Sequence, residues 1–155
     1  MYAVRASDGA ILWHYALNGG ANSWAYWLSV ENGIVYISDA IPTNDTTGLG
    51  DIYALQSSNG SVLWRDKLHA SPYSALLVNG VIYLGTSSGS LDSAVYAVRT
   101  GDGSLLLNYP IAGSMFAAPV LDGNTIYIGA GNGMAYALHA ENGRVLWHYL
   151  TQVGG

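Results

Sequence analysis

The chain has 155 residues, half of them apolar or aromatic and one-tenth charged, with 20 Gly and 12 Tyr, the composition of a globular, core-rich protein. Its net charge is −5 and its five basic residues, Arg5, Arg65, Lys67, Arg99 and Arg144, are dispersed, so it lacks the cation cluster that displaces counterions from phosphate and no nucleic-acid partner is expected. The absence of Cys excludes a disulfide framework and a Cys-based zinc site, and no apolar run approaches the ~20 residues of a membrane-crossing helix, so no transmembrane segment is expected.

The first predicted element is a hairpin at YAVRASDGAILW from Tyr2, where short apolar arms flank Asp8-Gly9. Asp-Gly and Asn-Gly are favoured where both turn residues need positive φ. A second hairpin type follows at VENGIVYI from Val30. The two types then alternate: YALQSSNGSVLW from Tyr53, VNGVIYLG from Val78, YAVRTGDGSLLL from Tyr96, LDGNTIYIG from Leu121 and YALHAENGRVLW from Tyr136. β-Branched and aromatic residues fill the arms, and no sustained helical period intervenes. Seven hairpins predict fourteen short strands and an all-β fold. Met1 leads straight into the first copy with no signal-peptide pattern, which reads as a piece of a longer chain or a subunit completed by others.

Gly9, Gly60, Gly103 and Gly143 stand 51, 43 and 40 residues apart, close to the four-strand spacing of a β-propeller blade. The expected organisation is a single partial propeller over 1–155: a half-blade at 1–15, then blades at 22–68, 71–109 and 114–149, about three and a half four-stranded antiparallel blades. A lone four-stranded sheet leaves both faces wet, so blades must stack face to face. Trp13, Trp64 and Trp147 close three of the four repeated hairpins and are expected to dock between blades on the Gly turns. Burying an aromatic of ~150–250 Å² contributes at most about 4–6 kcal/mol. Leu107 takes the fourth position, and its blade contact is expected to be the weakest.

These residues resemble the repeat of pyrroloquinoline-quinone-type β-propellers, whose tryptophan-docking pattern is Ala-x-Asp-x-x-Thr-Gly-x-x-x-Trp. Ala3, Gly9 and Trp13 match it, as do Ala54, Gly60 and Trp64, and Ala137, Gly143 and Trp147, while Ala97 and Gly103 match without the Trp. The second hairpin type, in Pro-Val-Leu-Asp-Gly-Asn-Thr-Ile-Tyr-Ile-Gly at 119–129, is similar to the family too. The family's Asp position holds Arg5, Gln56, Arg99 and His139, and its Thr position holds Asp8, Asn59, Asp102 and Asn142, so the polar bracing of the repeat is rewritten. In the quinoprotein dehydrogenases the resemblance implies a quinone, a calcium ion, a catalytic Asp and often a vicinal Cys pair, and this chain has no Cys for that pair. The same repeat serves non-catalytic members, including a propeller lipoprotein of outer-membrane protein assembly, so the fold does not decide activity.

Three and a half blades leave apolar faces at both ends, and the expected consequence is a homo-oligomer joined through open blade edges, most simply two copies in one ring with two incomplete blades. Two candidate ligand or partner surfaces accompany it. Connections between the two hairpin types vary in length, with 17 residues from Tyr36 to Tyr53, 13 from Tyr83 to Tyr96 and 9 from Tyr127 to Tyr136, as a binding face would. The longest, from Ser38, carries Asp39, Asn44, Asp45 and Asp51, whose oxygens suit calcium but whose spacing is not that of an EF-hand, so a polar turn is expected and no metal. Tyr26, Tyr73 and Phe116 share a register on the innermost strands, near Trp24 and Trp27, and line the central channel for stacking on a sugar or flat ring unless they pack between blades.

No catalytic constellation is expected. Gly85-Thr-Ser-Ser-Gly89 matches a nucleophile elbow by formula but leads into a strand rather than a helix. The reading is a non-catalytic scaffold or interaction propeller needing no cofactor. The alternatives are a glycan- or peptide-binding propeller and a quinoprotein dehydrogenase fragment that would use quinone with calcium. Low charge and the family resemblance favour a periplasmic or cell-surface setting.

Overall fold

Fourteen strands form in the computed structural model, which describes residues 1–41, 49–87, 93–111, 113–115 and 117–151. They are β1 (Tyr2–Val4), β2 (Ile11–His14), β3 (Trp24–Glu31), β4 (Ile34–Ile41), β5 (Leu49–Gln56), β6 (Val62–Leu68) and β7 (Ser71–Val78), followed by β8 (Val81–Ser87), β9 (Ala94–Arg99), β10 (Leu105–Pro110), β11 (Val120–Asp122), β12 (Thr125–Gly129), β13 (Met134–His139) and β14 (Val145–Leu150). A single 3-10 turn, Gly20–Asn22, is the only helical element among the described residues. The strands pair antiparallel in chain order into a two-stranded sheet β1-β2 and three four-stranded sheets, β3 to β6, β7 to β10 and β11 to β14. This is the arc of about three and a half propeller blades that the repeats predict, here called the half-blade and blades one, two and three.

Each blade is one residue thick, so alternate side chains of a strand enter different cores. In β9, Tyr96 and Val98 pack toward blade one with Ile52, Leu68, Ile82 and Leu84. Val95 and Ala97 point the other way, joining Met115, Ile126 and Leu138 between blades two and three. Val35, Ile37, Tyr53 and Leu55 of blade one meet Trp13 and Tyr15 of the half-blade. The middle strands of blades one and two are therefore buried on both faces, which is why they read as near-continuous apolar runs.

The two hairpin types turn differently. Between β3 and β4, and between β7 and β8, both turn residues have positive φ, at Asn32 (50°) and Gly33 (76°) and at Asn79 (50°) and Gly80 (75°), as expected for the tight type I′ turn. The repeated Tyr-Ala hairpins depart from that expectation. Their turns are wider, with Gln56 N–H donating to Ser61 O and Gly60 N–H to Gln56 O, both at 2.8 Å, and of the Asx-Gly pair only the Gly is left-handed. The Asx side chain instead accepts the N–H two residues on: Asp8 from Ala10, Asn59 from Ser61, Asp102 from Ser104 and Asn142 from Arg144, at 2.9–3.0 Å.

The wide turn is the seat for the preceding blade. A Cβ on Gly60 would lie 2.5 Å from Trp13 Cε3, and one on Gly103 would lie 2.8 Å from Trp64 Cε3. With φ of 73° and 74°, these positions need Gly both for backbone conformation and for room. The indole N–H of Trp13 donates to Ser57 O and that of Trp64 to Thr100 O, each at 2.8 Å. Ala3 and Ala54 stand opposite these Trp across the strand pair, small enough to let the indole lie over the sheet.

Between blades two and three, Leu107 packs on Gly143 in place of an indole. The hydrogen bond survives by another route, because Tyr83 Oη donates to Ala140 O at 2.6 Å, the carbonyl that corresponds to Ser57 and Thr100 in the repeat. Burial pushes the Tyr83 phenol up from its ordinary value, so it stays a donor at neutral pH. Tyr83→Phe is expected to lower unfolding stability by about 1–2 kcal/mol by orphaning that carbonyl. Tyr127→Phe, at the same repeat position on the outer face of blade three, is expected to change it by less than ~0.5 kcal/mol in the same denaturant titration.

Candidate interaction surfaces

The outermost sheets of the described arc each expose one element of the blade joint. On β14, Trp147 stands opposite Ala137 and beside Tyr127, ring centroids 6.1 Å apart, repeating the Trp64, Ala54 and Tyr36 row of blade one. Whereas Trp64 is covered by the next blade, Trp147 is 47% exposed, over a shallow cavity of about 370 Å³ lined by Ala118, Val120, Tyr127 and Ala135. At the other end the turn at Gly9 has the same left-handed Gly, with φ of 74°, but no described residue lies within 4 Å of where its Cβ would be. Tyr2, Val4, Ile11 and Leu12 of the half-blade are exposed there, as are Leu28 and Val30 of β3.

The aromatic register is partly assembled. Tyr26 and Tyr73 each occupy a bulge in the first strand of their blade, where the pairing register shifts, and a bulge re-aims a side chain. Their rings meet between neighbouring blades with centroids 4.5 Å apart, and Trp24 stands edge-on to Tyr26 at 6.4 Å. Burial and the Tyr73 hydroxyl raise the Tyr26 pKa. Trp24 is 59% exposed, whereas Trp27 packs against the core between blades one and two and so is a blade-packing residue rather than a surface one. Phe116 lies outside the described residues.

The acidic positions are the clearest correction. Asp39 and Asp51 are not loop residues: β4 and β5 extend through them, they pair in register, and both are essentially inaccessible to solvent. Asn44 and Asp45 lie outside the described residues. Asp39 Oδ1 accepts the Asp51 N–H at 3.0 Å, and Asp51 Oδ2 accepts Tyr53 Oη at 3.1 Å and an Arg65 N–H at 2.6 Å. The Arg65 guanidinium also lies 5.4 Å over the Tyr53 ring, and Tyr53 Oη accepts the Asn18 N–H at 3.2 Å. This donor set does not fit calcium, since Arg65, Tyr53 and a main-chain amide already hold the carboxylate oxygens that would ligate it. Among the described residues no group of three or more His, Asp or Glu is placed to hold a metal.

The sequence reading missed Arg65 and Tyr53. The available signal was a break in the repeat, since the residue after the docking position is His14, Arg65, Asn108 and His148, and just one copy places a permanent cation there. Beside the cluster a cleft of about 290 Å³ is lined by Asn18, Ile41, Leu49, Asp51, Lys67 and His69.

Stacked four-stranded blades with a repeated turn seat define a protein of the β-propeller class built from pyrroloquinoline-quinone-like repeats. The chain belongs to the family described as outer membrane protein assembly factor BamB, whose model matches residues 1–148. It is 26% identical over 154 residues to tetrathionate hydrolase of Acidithiobacillus ferrooxidans, covering 82% of this chain and 28% of that protein. It is 29% identical over 138 residues to the outer membrane protein assembly factor BamB of Moranella endobia, covering 88% of this chain and 31% of that one. The chain thus spans less than a third of the length of these curated relatives. A solved quinohemoprotein alcohol dehydrogenase from Pseudomonas putida shares the fold, with a TM-score of 0.71 at 19% identity over 97% of this chain and 31% of its own.

Burial is the main cause that raises the Asp39 pKa above the ordinary carboxylate value, and the neighbouring Asp51 carboxylate adds to it. Its ionisation therefore opposes folding. That cost is absent below the unfolded pKa, grows as pH rises toward the folded one, and is constant above it. Asp39→Asn is expected to gain stability relative to the parent as pH rises through that interval, followed by urea titrations at several pH values. Arg65→Ala, which strands the buried Asp51 charge, is expected to cost about 3 kcal/mol in the same titration at neutral pH.

Proposed function

We propose that this chain is a non-catalytic scaffold or interaction module that acts through its open blade faces and self-associates by covering them. The observation that carries the reading is the contrast between a satisfied interior and unfinished ends. The buried carboxylates are held by partners within the chain, while Trp147, Val120 and Tyr149 at one end and Tyr2, Ile11 and Leu12 at the other stand in solvent. Exposed apolar patches of this kind mark association surfaces. The reading needs no cofactor, and the family's description as an assembly factor agrees with a role in holding other chains. A periplasmic or cell-surface setting fits the same description. No helix among the described residues is long and apolar enough to cross a membrane.

Sedimentation at micromolar concentration tests this reading, with a discrete species of at least twice the chain mass expected, most simply a two-copy ring. A stable, non-aggregating monomer contradicts it.

A second reading, a glycan- or peptide-binding propeller, draws on the stacked Tyr26 and Tyr73 with the exposed Trp24 beside them. Aromatic faces of this kind suit sugar rings. A glycan array supports it if a hit is lost in Trp24→Ala, and the absence of any hit counts against it. The quinoprotein-fragment reading rests on fold likeness and on relatives with enzymatic names, and the Asp39 and Asp51 pair does not supply its calcium site.

A further inference from the structure

We infer that the two open ends are the halves of one joint: Trp147 of one copy docks on the Gly9 turn of a second copy, its indole N–H donating to the Ala6 carbonyl. The inference rests on the self-association proposed above and names the contact that performs it.

Its warrant is the two joints already built inside the chain. In each, an indole lies on a left-handed Gly and its N–H reaches the carbonyl three residues before that Gly: Trp13 with Gly60 and Ser57, and Trp64 with Gly103 and Thr100. Trp147 has the same register on its own blade, opposite Ala137 and beside Tyr127. At the far end, Gly9 has the same φ, no described residue lies on its seat, and Ala6, three residues before it, is exposed. No described residue of the chain covers either the Trp147 knob or the Gly9 seat.

The polarity of the contact follows. Trp147 cannot use the turn at its own end, because Gly143 is covered by Leu107 within the chain. The half-blade offers no spare knob of its own, because Trp13 already lies on Gly60. Contacts between like ends therefore cannot reproduce the joint, and the association is head-to-tail, closing into a ring where the rotation allows. Each joint hides an indole and the apolar row around it, which favours association in the same way as the internal contacts do.

Association is measured by sedimentation for the parent, Trp147→Ala, Trp147→Phe, Gly9→Asn and an equimolar mixture of Trp147→Ala with Gly9→Asn. Asn tolerates positive φ, so Gly9→Asn keeps the turn while its Cβ fills the seat. Both altered positions are solvent-exposed, and unfolding curves check that each variant folds. The joint predicts association at least tenfold weaker for Trp147→Ala and for Gly9→Asn, with Trp147→Phe, which keeps a ring but loses the N–H, in between. It predicts that the mixture forms a one-joint pair that neither variant forms alone, since each supplies the half the other lacks. An oligomeric parent unaffected by Trp147→Ala or Gly9→Asn overturns the joint while leaving self-association standing. Weakened single variants whose mixture does not pair overturn the head-to-tail polarity and with it the joint. A monomeric parent overturns self-association itself.

Discussion

A sheet of four short strands has no inside, and this constraint governs the whole molecule. Each blade of the chain hides its apolar side chains against a neighbour, and the contact is fixed at one point, where an indole lies on a turn that must be Gly. The turn is selected twice, by a left-handed backbone and by the ring that occupies the place of a side chain. The indole is selected twice as well, by its flat area and by its N–H, which satisfies a carbonyl left open at the turn. Where Leu107 replaces the ring, Leu keeps the packing and Tyr83, two strands away on β8, takes over the hydrogen bond. Apolar cover and carbonyl satisfaction are thus separable requirements that a single Trp meets together.

Much of this was legible in the sequence because the repeat is written in residue types with one structural use. Asx-Gly between aliphatic arms marks a reversal, and its recurrence with Trp four residues later marks the blade period. The exact turn was not legible, since Asx-Gly also serves the wider turn in which the Asx side chain accepts a main-chain N–H. Nor was the burial of Asp39 and Asp51. Acidic residues near a polar, Gly-rich stretch read as loop, and the pairing that carries β4 and β5 through them depends on Arg65 and Tyr53 reaching across from positions that periodicity does not single out. The aromatic register was half legible: Tyr26 and Tyr73 do meet, but through bulges that no pattern of alternation reveals, while Trp27 turned inward.

The functional reading follows from where the constraint goes unmet. The buried carboxylate pair is bound by a guanidinium, a phenol and an amide beneath the surface. Among the described residues, apolar side chains are exposed on the outermost sheets of the arc. On the proposed reading the blade faces serve as contact surfaces, while the buried carboxylates brace the interior.

The central claim is that adjacent blades are held by the indole on its Gly turn, and the unfolding free energy of Trp64→Ala tests it most directly. If the account is right, the loss is about 3 kcal/mol, the low end of the range for removing a buried aromatic because Trp64 is half-buried, and blades one and two cease to unfold together. A loss below ~1 kcal/mol with a single unchanged transition would show that the blades are held by something other than the indole.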